Sequence, residues 1–218
     1  MTYPEATDAD TKSHSSGPSD YGNARSTIIE SVKSLLLQYE ANKISIKMVM
    51  TSSGKSRDTV YRCFHSLSDL ISEACLSIFA EKVSEDAAAI ESILDTANSD
   101  SEFIDSIRKL TESSQGSDRL SSRKLRLKII AYALDRPTLK NALIIEQLRL
   151  DKKFHSLIDT AKERGLIQAN IDSASLATFI QAYSLGGILR DFQEDSSSAT
   201  SDWIDLIHHV FTKSFLVE

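Results

Sequence analysis

The stretch from Ser45 to Leu70, SIKMVMTSSGKSRDTVYRCFHSLSDL, constrains this chain more than any other. Ser45 stands where a helix wants a capping hydroxyl, and Gly54 can take the left-handed conformation that closes a helix without a Cβ penalty. Ser56 then caps a second helix that carries Val60 and Phe64 on one face, four residues apart. A third helix opens at Ser66, with Asp69 at capping-box spacing. Two short helices about a glycine turn form a helix-turn-helix pattern.

Composition says what the pattern can belong to. Among 218 residues there are only 7 Gly and 3 Pro, which leaves few chain breakers and favours an all-α architecture over a sheet-rich one. Cys63 and Cys75 lie within expected helices and suit neither a disulfide framework nor a zinc motif, so a reducing compartment fits. No apolar run reaches membrane-spanning length and no signal-peptide order opens the chain. These features point to a cytoplasmic protein that does not enter a membrane.

A net charge of −6 disfavours nucleic acid for the chain as a whole, but the charge is unevenly spread. Between Arg25 and Arg62 seven cations (Arg25, Lys33, Lys43, Lys47, Lys55, Arg57, Arg62) face three acids (Glu30, Glu40, Asp58). That segment is +4 and the remainder −10. A basic head on an acidic body suits a protein that touches DNA with one end.

In chain order, residues 1–22 are rich in Ser, Thr, Asp, Pro and Gly and read as a disordered tail, because such a segment buries too little apolar surface to offset its ordering entropy. Asn23 to Tyr39 repeats Ile28, Val32, Leu35, Leu36 and Tyr39 at helical spacing, and Asn42 can close that helix. Residues 23–68 are thus expected to form a three-helix DNA-binding domain and 69–218 a helical body. The start of the Ser56 helix is its chemical end. Lys55, Ser56, Arg57, Asp58 and Thr59 lie there, and Tyr61 and Arg62 follow one turn later. Arg57 can pair with guanine, Thr59 can meet a phosphate or a thymine methyl, and Asp58 can accept from a cytosine amine or pair with a neighbouring cation.

The succession Ser45-Ile46, Val49, Gly54, Ser56, Thr59-Val60-Tyr61, Phe64 and Leu70 resembles the DNA-binding domain of TetR/AcrR-type transcriptional regulators, through about Ile71. The resemblance implies that Ser45, Ser56, Thr59 and Tyr61 meet phosphates, that Lys55, Arg57 and Asp58 sit near bases or the adjoining backbone, and that Lys47 joins them. The chain departs from the family pattern at Met50, Lys55, Cys63 and Leu67. The last two positions remove expected phosphate contacts, for which Lys55, Arg62 and His65 offer compensation.

From about Ser84 the chain reads as amphipathic helices over Ala87–Ala97, Phe103–Leu110, Leu120–Leu134, Thr138–Glu163, Ser173–Phe192 and Ser201–Leu216. It shows no glycine-rich phosphate loop, paired carboxylates or Ser-His-Asp spacing. Cys63-x-His65 has no third ligand, so the sequence names no catalytic residue, cofactor or metal site. Phe103, Ile107, Tyr132, Leu148 and His155 are candidates to line an effector pocket, with no charge cluster to mark the ligand. The last two helices carry more apolar surface than one stripe hides. Phe179, Tyr183, Gly186, Gly187, Trp203, Ile207, Val210 and Phe211 are therefore expected at a homodimer interface, with the Gly186-Gly187 pair admitting another backbone. With the resemblance, this describes a homodimeric repressor of a palindromic double-stranded DNA operator, released by a small-molecule effector. The alternative is a helical dimeric adaptor with a degenerate, weakly DNA-binding head.

Overall fold

In the computed structural model, the described residues are 18–97, 99–116, 119–191 and 196–217, with the side chains of 18–20 and 196–200 left aside. Among them the secondary structure is helical, with no strand beyond one isolated bridge. The helices are α1 (Pro18–Gln38), α2 (Ile46–Ser53), α3 (Arg57–Cys63), α4 (Leu67–Thr96), α5 (Asp100–Gln115), α6 (Leu120–Leu134), α7 (Pro137–Glu163), α8 (Ser173–Arg190) and α9 (Ser196–Ser214). A short 3-10 turn at Ala41–Lys43 links α1 to α2.

Local chemistry sets most of these boundaries. The hydroxyls of Ser45, Ser56, Ser66 and Ser99 each accept the amide three residues on, as does the Asp172 carboxylate, and so satisfy donors that the first helical turn leaves unpaired. Pro137 begins α7, where its missing N–H costs nothing. Gly54 (φ 65°) ends α2 and Gly165 (φ 73°) follows α7. At the latter, Leu166 N–H reaches Ala161 O and Gly165 N–H reaches Lys162 O, a Schellman closure.

Several boundaries differ from the sequence reading: the expected Phe103–Leu110 helix runs over Asp100–Gln115 and the expected Ser201–Leu216 helix over Ser196–Ser214, and three differences say more. α1 starts at Pro18, not Asn23, so residues 18–22 of the expected tail are helical; Tyr21 explains part of this, because its hydroxyl donates to Arg62 O at 3.1 Å across the head. Residues 1–17 of that tail lie outside the described residues. Asn42 takes no left-handed conformation and lies in the 3-10 turn instead. The connecting helix and the expected Ala87–Ala97 helix are one 30-residue helix. Nothing between Ser84 and Ala87 breaks it: no Gly or Pro intervenes, and Lys82 and Glu85 pair on its surface at 2.6 Å.

α1, α2 and α3 close over Ile28, Val32, Leu36, Ile44, Val49, Val60 and Phe64, with Leu70 and Ala74 of α4 completing the head. The buried apolar cluster then runs without interruption along α4 into the body, where α4 packs on α7, α7 on α8, and α5 on α9. The chain end returns beside the α7–α8 loop, with Gln168 N–H donating to Phe215 O at 2.9 Å.

Both cysteines are free. Cys75 is buried in the head–body joint, and burial pushes its thiol up to about 12, against a smaller opposing pull from Arg136. Cys63 is only half-buried. At about pH 8 a thiol reagent is expected to consume Cys63 in the native chain and Cys75 only after unfolding. Peptide mapping of the modified chain checks this, and equal native rates would contradict the placement of Cys75.

Candidate nucleic-acid interface

α3 turns Val60 and Phe64 inward and leaves Arg57, Asp58, Tyr61 and Arg62 exposed, so the fold dedicates one face of this short helix to the core and the other to solvent. The Arg57 guanidinium lies 5.5 Å from the centre of the exposed Tyr61 ring, which restricts it beside the helix start. Ser56 Oγ accepts from Thr59 N–H and lies 2.9 Å from Thr59 Oγ1. One hydroxyl proton serves that pair, and the other remains free to donate outward. Ser45 caps α2 in the same way, and Lys47, Lys55 and His65 flank the two helices with no ion pair among the described residues.

The basic segment counted in the sequence sorts into two groups. Arg25 is engaged with Glu73 and lies 5.0 Å from the Phe64 ring centre, and Lys33 bridges Glu30 (2.9 Å) and Glu81 (2.6 Å). These two brace α1 against α4. Those hydrogen bonds and charges hold the Lys33 ammonium above its usual range, although burial, the largest single influence, pulls the other way. Among the described residues Lys43, Lys47, Lys55, Arg57 and Arg62 make no such pair, and Asp58 is the acid among them. Cys63 and Leu67 both pack against the core, so the two departures from the family pattern serve packing here.

Helices α4 to α8 enclose a cavity of about 130 Å³ in the body. Lys82, Glu85, Asp86, Arg119, Arg123 and Arg126 are its charged lining, and Ile90, Leu110, Leu150, Phe154 and Ile180 belong to its apolar lining. The sequence showed no charge cluster because these charged residues come from two separate segments, 82–86 and 119–126. Arg123 is almost fully buried and holds Asp191 of the α8 end in two 2.7 Å bonds from Nε and Nη2, while Nη1 reaches Ser114 O and Gly116 O.

The five expected pocket residues do not converge. Phe103 and Ile107 line a small apolar cavity of about 40 Å³, and Tyr132 lines a separate cleft between α1, α4 and α6. Leu148 is exposed and His155 lines neither of these nor the larger body cavity. A helical apolar stripe contains core, cavity and surface positions alike, so spacing could not separate them.

Most of the expected interface residues face inward as well. Phe179, Tyr183, Phe211 and Phe215 stack within the chain at 5.4–6.1 Å between ring centres, and Ile207 is buried. Trp203 Nε1 donates to Gln115 Oε1 at 3.0 Å. Val210 is half-buried on α9. A Cβ on Gly187 would stand 2.6 Å from that same Oε1, so this glycine admits a side chain of its own chain, not a second copy; Gly186 has open space. The outer face of α8 and α9 instead presents Leu189, 72% exposed, and Leu206, 53% exposed.

Among the described residues no three His, Cys, Asp or Glu side chains are grouped to hold a metal, and no helix is long and apolar enough to cross a membrane. No family model and no curated protein matches the chain. Solved structures do. A TetR transcriptional regulator from Chloroflexus aurantiacus superposes with a TM-score of 0.68 at 18% identity, over 92% of this chain and 100% of that one. A TetR-family regulator from Cytophaga hutchinsonii gives 0.71 at 15%, over 93% and 100%, and one from Pectobacterium atrosepticum 0.65 at 15%, over 93% and 99%. The chain has the fold of the TetR-family transcriptional regulators.

Proposed function

We propose that this chain is a DNA-binding transcriptional regulator working in the cytoplasm, a repressor that leaves its operator when a small molecule enters the body cavity. The observation that carries the reading is α3 itself: a Ser-capped helix start, anchored from behind by Val60 and Phe64, with Arg57, Arg62, Lys47 and Lys55 at or beside it and free of ion pairs among the described residues. Such cations on an acidic protein (net −6) are poised for phosphates and base edges. Leu189 and Leu206 support a homodimer formed through the outer face of α8 and α9, and a two-fold dimer calls for a palindromic operator. Release then follows if the ligand prefers one of two spacings of the paired α3 helices.

Titrating the duplex that flanks the chain's own gene across a salt series tests this. With Lys47, Lys55 and Arg62 of each protomer on phosphates and Arg57 on a base edge, log affinity should fall against log salt with a slope of about −5 for the dimer. Absence of a specific complex at low salt would sink the regulator reading and leave the dimeric adaptor.

A further inference from the structure

The cavity among α4 to α8 is lined by both charged and apolar side chains, and its charge is uneven. We propose that it binds a small amphipathic carboxylate, with the headgroup on Arg126 and Arg119 and the hydrocarbon body along Ile90, Phe154 and Ile180; this rests on the ligand-responsive reading above and names the ligand's class. Two of the four cations in its wall are already committed. Arg123 spends its guanidinium on Asp191 and on two carbonyls, and Lys82 pairs with Glu85 at 2.6 Å. Arg126 is different. Its nearest carboxylate oxygen, on Asp86, is 3.7 Å away, beyond hydrogen-bond distance, and its guanidinium lies 5.5 Å from the Phe79 ring centre. Among the described residues Arg119 has no ion pair.

Among the described residues, Lys82, Arg119, Arg123 and Arg126 outnumber Glu85 and Asp86 in the wall, and Asp191 behind Arg123 is shared with Arg190, so positive charge is in excess. An unmatched charge in a partly dehydrated cavity is costly, and a monoanion neutralises it. Burial pulls the Arg126 guanidinium below its usual range and pushes the Asp86 carboxyl above its own, so each is incompletely satisfied by the other. The Ser122 hydroxyl also lines the cavity as a further donor. Of the apolar lining, Ile90, Phe154 and Ile180 are shared with the apolar cavity of Phe103, Leu176 and Phe211, which gives a hydrocarbon tail a route away from the arginines.

Calorimetric titration of the full chain with hexanoate, hexylammonium and hexanol, which differ only in headgroup, decides the matter. Hexanoate is expected to bind at least about tenfold more tightly than either analogue, and Arg126→Gln to weaken it about tenfold or more. Lys109→Gln, an exposed change on α5 outside the cavity wall, should leave it unaltered. If Arg126→Gln fails to fold, Arg119→Gln carries the same expectation. Equal or tighter binding of hexylammonium or hexanol, no heat with hexanoate, or indifference of hexanoate to the folded arginine variants would overturn the proposal. Operator binding measured in parallel keeps the two readings apart. A tight DNA complex with no hexanoate heat removes the carboxylate alone, whereas hexanoate heat with no DNA complex removes the regulator reading alone.

Discussion

Arg123→Ala is expected to lower the unfolding free energy by about 3–5 kcal/mol, because it strips the buried Asp191 carboxylate of both its hydrogen bonds and leaves only the Arg190 charge nearby. The two side chains are only 6% and 9% exposed and meet through two 2.7 Å bonds. The same substitution strips Ser114 O and Gly116 O of a donor at the end of α5, so several groups lose their partners together. Arg123→Lys should recover little, since one ammonium cannot reproduce a planar fork that serves a carboxylate and two carbonyls. The double change Arg123→Met with Asp191→Leu should recover much of the loss, because it removes both charges at once. Urea unfolding of the three variants measures this. A loss under about 1 kcal/mol for Arg123→Ala would mean that the pair behaves as a surface ion pair, contrary to its burial.

Arg57→Ala is expected to weaken operator binding by about 2–6 kcal/mol, since a base-contacting arginine contributes roughly 1–3 kcal/mol and a two-fold dimer loses it twice. Its signature is loss of sequence preference: affinity for the operator should approach affinity for unrelated duplex. Lys47→Ala should instead weaken both duplexes together and flatten the salt slope. Competition titrations with operator and scrambled DNA separate the two patterns. If Arg57→Ala lowers both affinities in parallel, Arg57 contacts the backbone and base reading lies elsewhere on α3.

What the sequence disclosed was what short-range chemistry decides. The caps at Ser45, Ser56 and Ser66, the left-handed Gly54 and the inward pair Val60 and Phe64 each depend on residues within one or two turns. What it hid depends on distant partners. Lys33 counts toward the basic head in sequence, yet it is held by Glu81, 48 residues away. Arg123 and Asp191 are 68 residues apart, and no local pattern joins them. Gly187 announced a close approach correctly, but its neighbour is Gln115 rather than another protomer. Likewise, the aromatic residues of α8 and α9 were legible as sticky without showing that they stick to each other. Residues on the body cavity mix with core residues along the same stripes, and only the packing angles of α4 to α8 separate them.

The unbroken course of α4 has a mechanical consequence. Leu70 sits in the head core and Asp86 in the cavity wall of the same rigid rod, sixteen residues and about 24 Å apart. A tilt of about 5° pivoting at the cavity end swings the Leu70 end by about 2 Å, the size of helix displacement that interfaces register as a switch. Because the rod carries no proline, glycine or other joint along that span, it converts a small rearrangement of side chains into a lever stroke with little of the motion absorbed on the way.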